Sequence, residues 1–128
     1  MTDRHRSLHL AARPDGLPKD SDFELRERPA AELAEGQLRI AVRWLSIDPA
    51  MRVWMSEQKS YWPPVGLGEV MRAAGIGEVL ESRHPRFPVG TWVSGMTGVQ
   101  DQFVCDGKGF RAFDAKQLPH PAWALSVF

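Results

Sequence analysis

In "QLRIAVRWLSID" the residues Leu38, Ile40, Val42 and Trp44 fall at a spacing of two, with Arg39 and Arg43 between them. That alternation predicts a strand with one apolar face, the clearest in the chain. Upstream, Ser7 to Ala12 predicts a first short strand ended by the turn cluster "RPDGLP". "DFELRERP" alternates through Phe23 and Leu25, which predicts a half-buried strand stopped by Pro29, and "AAELAEGQ" is a connector with Gly36 as its stop. Beyond Trp44, "DPAMRVWM" predicts one or two helical turns, with Asp48 as N-cap and Pro49 at the first helical position. The double proline of "SEQKSYWPPVGLG" makes that stretch an irregular loop. "EVMRAAGIGEVLES" predicts a long strand interrupted at Gly75 and Gly77 by a bulge or sharp bend. "RHPRFPVGTWVSG" is a tight turn into another strand, "VQDQFVCD" supplies one more, and "FRAFD" a short last one. Only "LPHPAWALSVF" changes character, from a Pro-rich cap to an apolar, helix-compatible run. Many short strands at turn-punctuated spacing predict a mainly β chain with short helices, arranged as a small barrel.

The totals narrow this picture. A length of 128 residues points to one domain, and 43% hydrophobic with 25% charged residues is an ordinary soluble composition. Lys+Arg and Asp+Glu stand at 16 each, so no basic excess points to a nucleic-acid partner. Alternating signs, as in "RERPAAELAEGQLR", read as a solvated surface. Cys105 is the only cysteine, which excludes an intrachain disulfide and agrees with a reducing compartment. No apolar run has the length of a signal peptide or a membrane span, so the expected location is cytoplasmic, with no membrane partner.

Candidate chemistry is sparse. Cys105, His5, His9, His84 and His120 lack paired metal-ligand spacing, so the histidines read as surface or turn residues and no zinc is expected. Cys105, within "QFVCD", reads as core filler rather than nucleophile. "GLGEVM" and "GIGEVL" begin as G-x-G but lack the third glycine and the strand-to-helix context of a dinucleotide fingerprint; bending of the backbone accounts for them better. "DPAMR" reads as a capped turn with an Asp48–Arg52 pair at i,i+4.

Taken together, "LSIDPAMR", "SYWPPVGLGEVMRAAGIGEVLESRHPRFPVGTWVSG" and "VQDQFVCDGKGFRAFD" resemble the N-terminal domain of the zinc-independent medium-chain dehydrogenase/reductases. The branch is that of prostaglandin (leukotriene) reductases, plant double-bond reductases and curcumin-reductase-like enzymes, and the likeness runs from about Leu10 to Phe128. It implies a GroES-like, partly open β-barrel. It also implies hydride transfer from NADPH to the β-carbon of an enone or enal, in a cleft shared with a Rossmann domain. By the resemblance, Pro49 and Met51 contact the cofactor, Ala50, Tyr61 and Ala74 line the substrate cleft, and Asp48 and Arg52 are scaffold of the cleft loop rather than acid and base. Pro49, Ala50 and Met51 are expected on an exposed rim close to Ala74. Where zinc-dependent relatives place ligands, this chain has "SIDPAMR" and "GLGEVMR", and a carbonyl can be polarised by hydrogen bonds instead of a Lewis acid. The family's tyrosines are replaced by Ala50 and Ala74, which implies a wider or differently selective pocket.

Residues 1–115 are then expected to form the barrel, and 116–128 to begin the connection to a Rossmann domain that this sequence does not contain. No residue of this chain is expected to be catalytic by itself, and NADP(H) should not bind it tightly. The apolar tail at Trp123, Ala124, Leu125, Val127 and Phe128 is expected to lie bare, favouring a homodimer or a partner chain that carries the Rossmann half. A rival reading is a stand-alone binding module that keeps the barrel without catalysis.

Overall fold

The computed structural model describes residues 4–58 and 62–127. Seven strands are present among them: β1 (Arg4–Leu10), β2 (Phe23–Pro29), β3 (Leu38–Leu45), β4 (Ala74–Ser82), β5 (Trp92–Met96), β6 (Gln102–Cys105) and β7 (Arg111–Phe113). Helix α1 (Ala50–Trp54) follows β3, and a 3-10 turn at Pro121–Trp123 leads into α2 (Ala124–Val127). β1 and β2 form an antiparallel hairpin; the other strands form a sheet in the order β6-β3-β4-β5-β7. The hairpin is stitched to the sheet's loops by backbone bonds, Leu8 N to Val99 O (2.9 Å) and Met71 N to Leu8 O (2.8 Å) among them. This is the mainly β barrel that the pattern predicts, in the partly open form that the resemblance implies.

Two apolar clusters fill it. One end holds Leu38, Ile40, Val79, Phe87 and Val93, with Phe103, Cys105 and Phe110 packed against them. The other holds Leu10, Met51, Trp54, Met55, Val65, Met71 and Ala73, so α1 acts as the plug of that end. β3 keeps its alternation only in part. Register shifts against β4 occur at Arg39/Ile40, opposite Glu81 and Val79, and at Val42/Trp44, opposite the glycine-bent stretch. A Cβ on Gly77 would meet the Ala41 carbonyl oxygen at 2.7 Å, and one on Gly75 the Trp44 carbonyl oxygen at 2.9 Å. Those glycines permit a backbone approach that no side chain allows.

Several expectations change. Leu25 is 67% exposed rather than half-buried, and among the described residues β2 pairs with β1 alone. Arg39 is buried, not solvated: it bonds Glu81 (2.9 Å) and the Ala31 carbonyl beneath the connector. The tail is not bare either. Ala124 is fully buried, and His120 packs edge-on against Trp44 (4.7 Å), which stacks on Trp92 (5.9 Å). Of the expected patch, Ala124 is buried and Leu125 half-buried, while Trp123 stays 55% exposed and the side chains of Val127 and Phe128 are outside what is described. Phe128 lies outside the described residues.

His9 is a further correction, since it is buried in the wall rather than placed on the surface. Its Nδ1 lies 2.8 Å from the Gly68 carbonyl and its Nε2 lies 2.7 Å from Ser7 Oγ. With Nδ1–H donating to the carbonyl, Nε2 accepts from the serine hydroxyl, and both ring nitrogens are satisfied. The Gly68 N–H donates to Leu10 O (2.7 Å), so this single turn, at a φ of 88° that favours glycine, is fastened to β1 from both sides. Replacing His9→Phe keeps a ring but strands Ser7 and the Gly68 carbonyl. Loss of about 1–3 kcal/mol is expected in urea unfolding, with the native fold kept by circular dichroism.

Candidate functional site

β3 ends because its last residues are captured from the side. The Ser46 N–H donates to Ala74 O (2.9 Å), so the chain leaving β3 runs beside the chain entering β4. Asp48 then makes a tight turn: its Oδ1 accepts from the Ala50 N–H (2.9 Å) and its carbonyl from the Met51 N–H (3.0 Å). This is the predicted side-chain capping, though the helix begins one residue later than expected, with Pro49 at the capping position and Ala50 opening α1. The far end of α1 is also tied down. Trp54 O accepts from the Val65 N–H (2.8 Å), and Arg13 Nη1 donates to both Met55 O (3.0 Å) and Val65 O (2.6 Å). Carbonyls that a short helix leaves open are thereby satisfied.

The expected Asp48–Arg52 ion pair does not form. Arg52 turns instead to the Pro14–Gly16 turn, donating from Nη2 to Pro14 O (3.1 Å) and from Nε to Gly16 O (3.1 Å). Two carbonyls outcompete one exposed carboxylate because hydrogen bonds to a charged group are worth more than a solvated surface pair. Arg52 also acts at a distance on Asp22, a buried carboxylate whose Oδ2 accepts from the Lys19 N–H (2.9 Å). That backbone hydrogen bond, above all, holds the Asp22 carboxyl below the usual range, with Lys19 and Arg52 adding to it against the cost of burial.

The predicted site residues separate into groups. Pro49 is exposed and Ala50 half-buried, as a rim requires. Met51 is 8% exposed and belongs to the core cluster, so its expected place on the exposed rim is corrected: one helical step turns it inward, where its sulfur accepts from the Asp48 N–H (3.3 Å). Ala50 packs against the same cluster as Ala73, whereas Ala74 lines a separate hollow of about 360 Å3 with Met96, Arg111 and Leu125. The two segments meet through their backbones rather than through these two side chains. Tyr61 lies outside the described residues.

Other chemistry is limited. A larger hollow, about 730 Å3, runs from Ala30 to Leu33, but its Arg39 and Arg83 already bond Glu81, Glu35 and the Ala31 and Leu33 carbonyls. Burial pushes the Cys105 thiol up, with Asp106 adding to the shift, so at neutral pH it is a thiol packed among Phe103 and Phe110. Among the described residues, no group of three His, Cys, Asp or Glu side chains is placed to hold a metal ion. No described helix is long and apolar enough to cross a membrane. Arg72, read only as part of a strand, stands out: its guanidinium carbon lies 5.4 Å from the Trp54 ring centre and 5.7 Å from that of Trp62. A lone arginine inside the apolar run "VMRAAG" was the signal available for it.

Residues 6–113 match the family described as the N-terminal domain of oxidoreductase. The chain belongs to that family. Within the medium-chain dehydrogenase/reductases, it is 40% identical over 125 residues to the NADPH-dependent curcumin reductase of Escherichia coli strain K12, a match covering 97% of this chain and 36% of that protein. It is 33% identical over 102 residues to prostaglandin reductase 1 of Rattus norvegicus, covering 80% of this chain and 29% of the relative. The crystal structure of CurA from Vibrio vulnificus superposes with a TM-score of 0.86 at 40% identity, over 94% of this chain and 35% of that one. The same protein in complex with NADPH gives a TM-score of 0.84. This chain therefore spans about a third of the length of such relatives, and its barrel is the GroES-like N-terminal domain of the family.

The Asp22 carboxylate offers a direct check on how the rim is held. Because its pKa is depressed in the folded state, it stabilises the protein above the ordinary carboxylate range, and that stabilisation is lost as pH falls through the folded value. Asp22→Ala is expected to melt several degrees below the parent at neutral pH. The gap should narrow progressively below about pH 4, which thermal melts at a series of pH values will show.

Proposed function

We propose that this chain is the substrate-side, N-terminal portion of an NADP-dependent reductase of carbon–carbon double bonds conjugated to a carbonyl. The observation that carries the reading is the 40% identity over 97% of the chain to an NADPH-dependent curcumin reductase. The local geometry agrees with it. A dinucleotide needs phosphate-binding backbone at a helix N-terminus and a wall for its flat ring. Exposed Pro49 and half-buried Ala50, carried by the Asp48 turn, fit the wall. The five-residue α1 and the glycine-bent β4 do not fit a phosphate cradle. In this reading Pro49 is the cofactor contact, and Met51 acts on it only through the core that seats the helix. Ala50 on the rim and Ala74 in the hollow it lines are the small side chains that leave room for an enone or enal. Asp48 and Arg52 fix the loop by capping and by the Pro14–Gly16 carbonyls. The bound cofactor supplies the hydride; this chain excludes water from one side and limits what can approach. Residues 116–128 form the connection toward the partner half, in cis or on another chain, and the compartment is cytoplasmic.

The tail favours one second reading, a barrel that serves as a binding module by itself, since Ala124 is buried in this chain and His120 packs edge-on against Trp44. A chimera separates the two. Residues 1–128 are placed in the Escherichia coli curcumin reductase in exchange for its matched segment, and folding is checked by circular dichroism. Enone-dependent oxidation of NADPH by the folded chimera is expected; a folded chimera that binds NADPH but never turns over supports the module instead. The 128-residue chain by itself is expected to bind NADPH more weakly than about millimolar, or about 4 kcal/mol, by calorimetry, and micromolar binding contradicts the assignment of a wall only.

A further inference from the structure

Arg72 is the basis of a further site. Of the arginines that are not exposed, Arg13 and Arg52 bond backbone carbonyls, Arg26 bonds Glu24, and Arg39 bonds Glu81 and Ala31. Arg72 alone of this group shows no hydrogen bond or ion pair among the described residues, and its Nη1 is a buried donor without a partner. What holds the cation is aromatic surface, the rings of buried Trp54 and of the partly exposed Trp62. Trp54 is buried in the core cluster, and Trp62, 48% exposed, is the indole that a ligand from solvent can reach.

We propose that Arg72, with Trp54 and Trp62, is a binding site for a carboxylate carried on a flat, unsaturated body. The planar guanidinium matches a carboxylate with paired N–H donors, and indole surface beside it suits a conjugated ligand. A half-buried cation without a counter-charge is what such a site looks like before its anion arrives. That the natural ligand is an acidic substrate of the rim rests on the reductase reading above; the site itself rests on Arg72.

The test uses the 128-residue chain with trans-cinnamate as probe, read by tryptophan fluorescence and by the indole N–H signals of Trp54 and Trp62 in NMR. Saturable binding is expected at about millimolar or tighter, and cinnamamide, the same flat body without charge, is expected at least about tenfold weaker. Arg72→Gln should remove that preference by weakening cinnamate at least about tenfold while leaving cinnamamide unchanged, and the exposed Arg28→Gln should change neither. Equal binding of acid and amide, no binding of cinnamate, or an Arg72→Gln variant that keeps the preference each overturns the proposal. Displacement of cinnamate by inorganic phosphate at equal concentration overturns the carboxylate assignment. Should Arg72→Gln fail to fold, the acid-to-amide ratio and the Trp54 and Trp62 shifts on the parent chain decide the matter. Since no step involves NADPH or turnover, failure of this site and failure of the reductase reading are separate results.

Discussion

The closeness of β3 to β4 is the constraint on which the rest depends. At Gly75 and Gly77 the carbonyl oxygens of Trp44 and Ala41 stand where a side chain would begin. At this proximity β3 changes register between Val42 and Trp44, opposite Gly77 and Ile76. It delivers Trp44 to the outer face and carries Ser46 to the Ala74 carbonyl. From there the Asp48 turn, the short α1 and the core plug of Met51 and Trp54 follow in order. A bulkier residue at either glycine pushes the strand end away and takes the rim with it.

What holds the rim once it is placed is arginine on carbonyl, not arginine on acid. Arg13 clasps the end of α1 to Val65, and Arg52 clasps its middle to Pro14 and Gly16. Charge-assisted bonds of this kind contribute about 1.5–3 kcal/mol each, against about 0–1 kcal/mol for an exposed ion pair. A neutral chain with balanced charges can thus have its cations committed to structure. Arg72, with aromatic faces in place of carbonyls, departs from that rule, and this is why it reads as a ligand site.

Most of the fold was legible in the sequence, because strand alternation and turn chemistry are local signals. β2 to β7, the short helix after "DP" and the bend at Gly75 and Gly77 all fall where their patterns put them. The misreadings come from tertiary competition. An i,i+4 spacing says Asp48 and Arg52 are within reach, but not that two carbonyls lie closer to hand. Met51 and Leu25 are both apolar, and only the position of the covering layer buries the first and exposes the second. His9 carries no sequence sign of burial, since its two partners, Ser7 and the Gly68 carbonyl, are satisfied only once the loop folds back. The tail was legible as apolar and helical; that Ala124 is buried within this chain and His120 meets Trp44 was not. At the site, the Asp48 capping turn was readable and Arg72 was not.

Family membership, the bent sheet and the rim form one account: a barrel whose glycine-permitted approach sets the position of the wall it offers. Gly75→Ala tests that most directly, by urea unfolding together with the NMR position of the Trp54 indole. The account predicts a loss of about 1–3 kcal/mol, as for other overpacked sites, and a displaced Trp54 signal, because the Trp44 carbonyl and buried Thr97 cannot both yield. Unchanged stability with an unmoved Trp54 would contradict it.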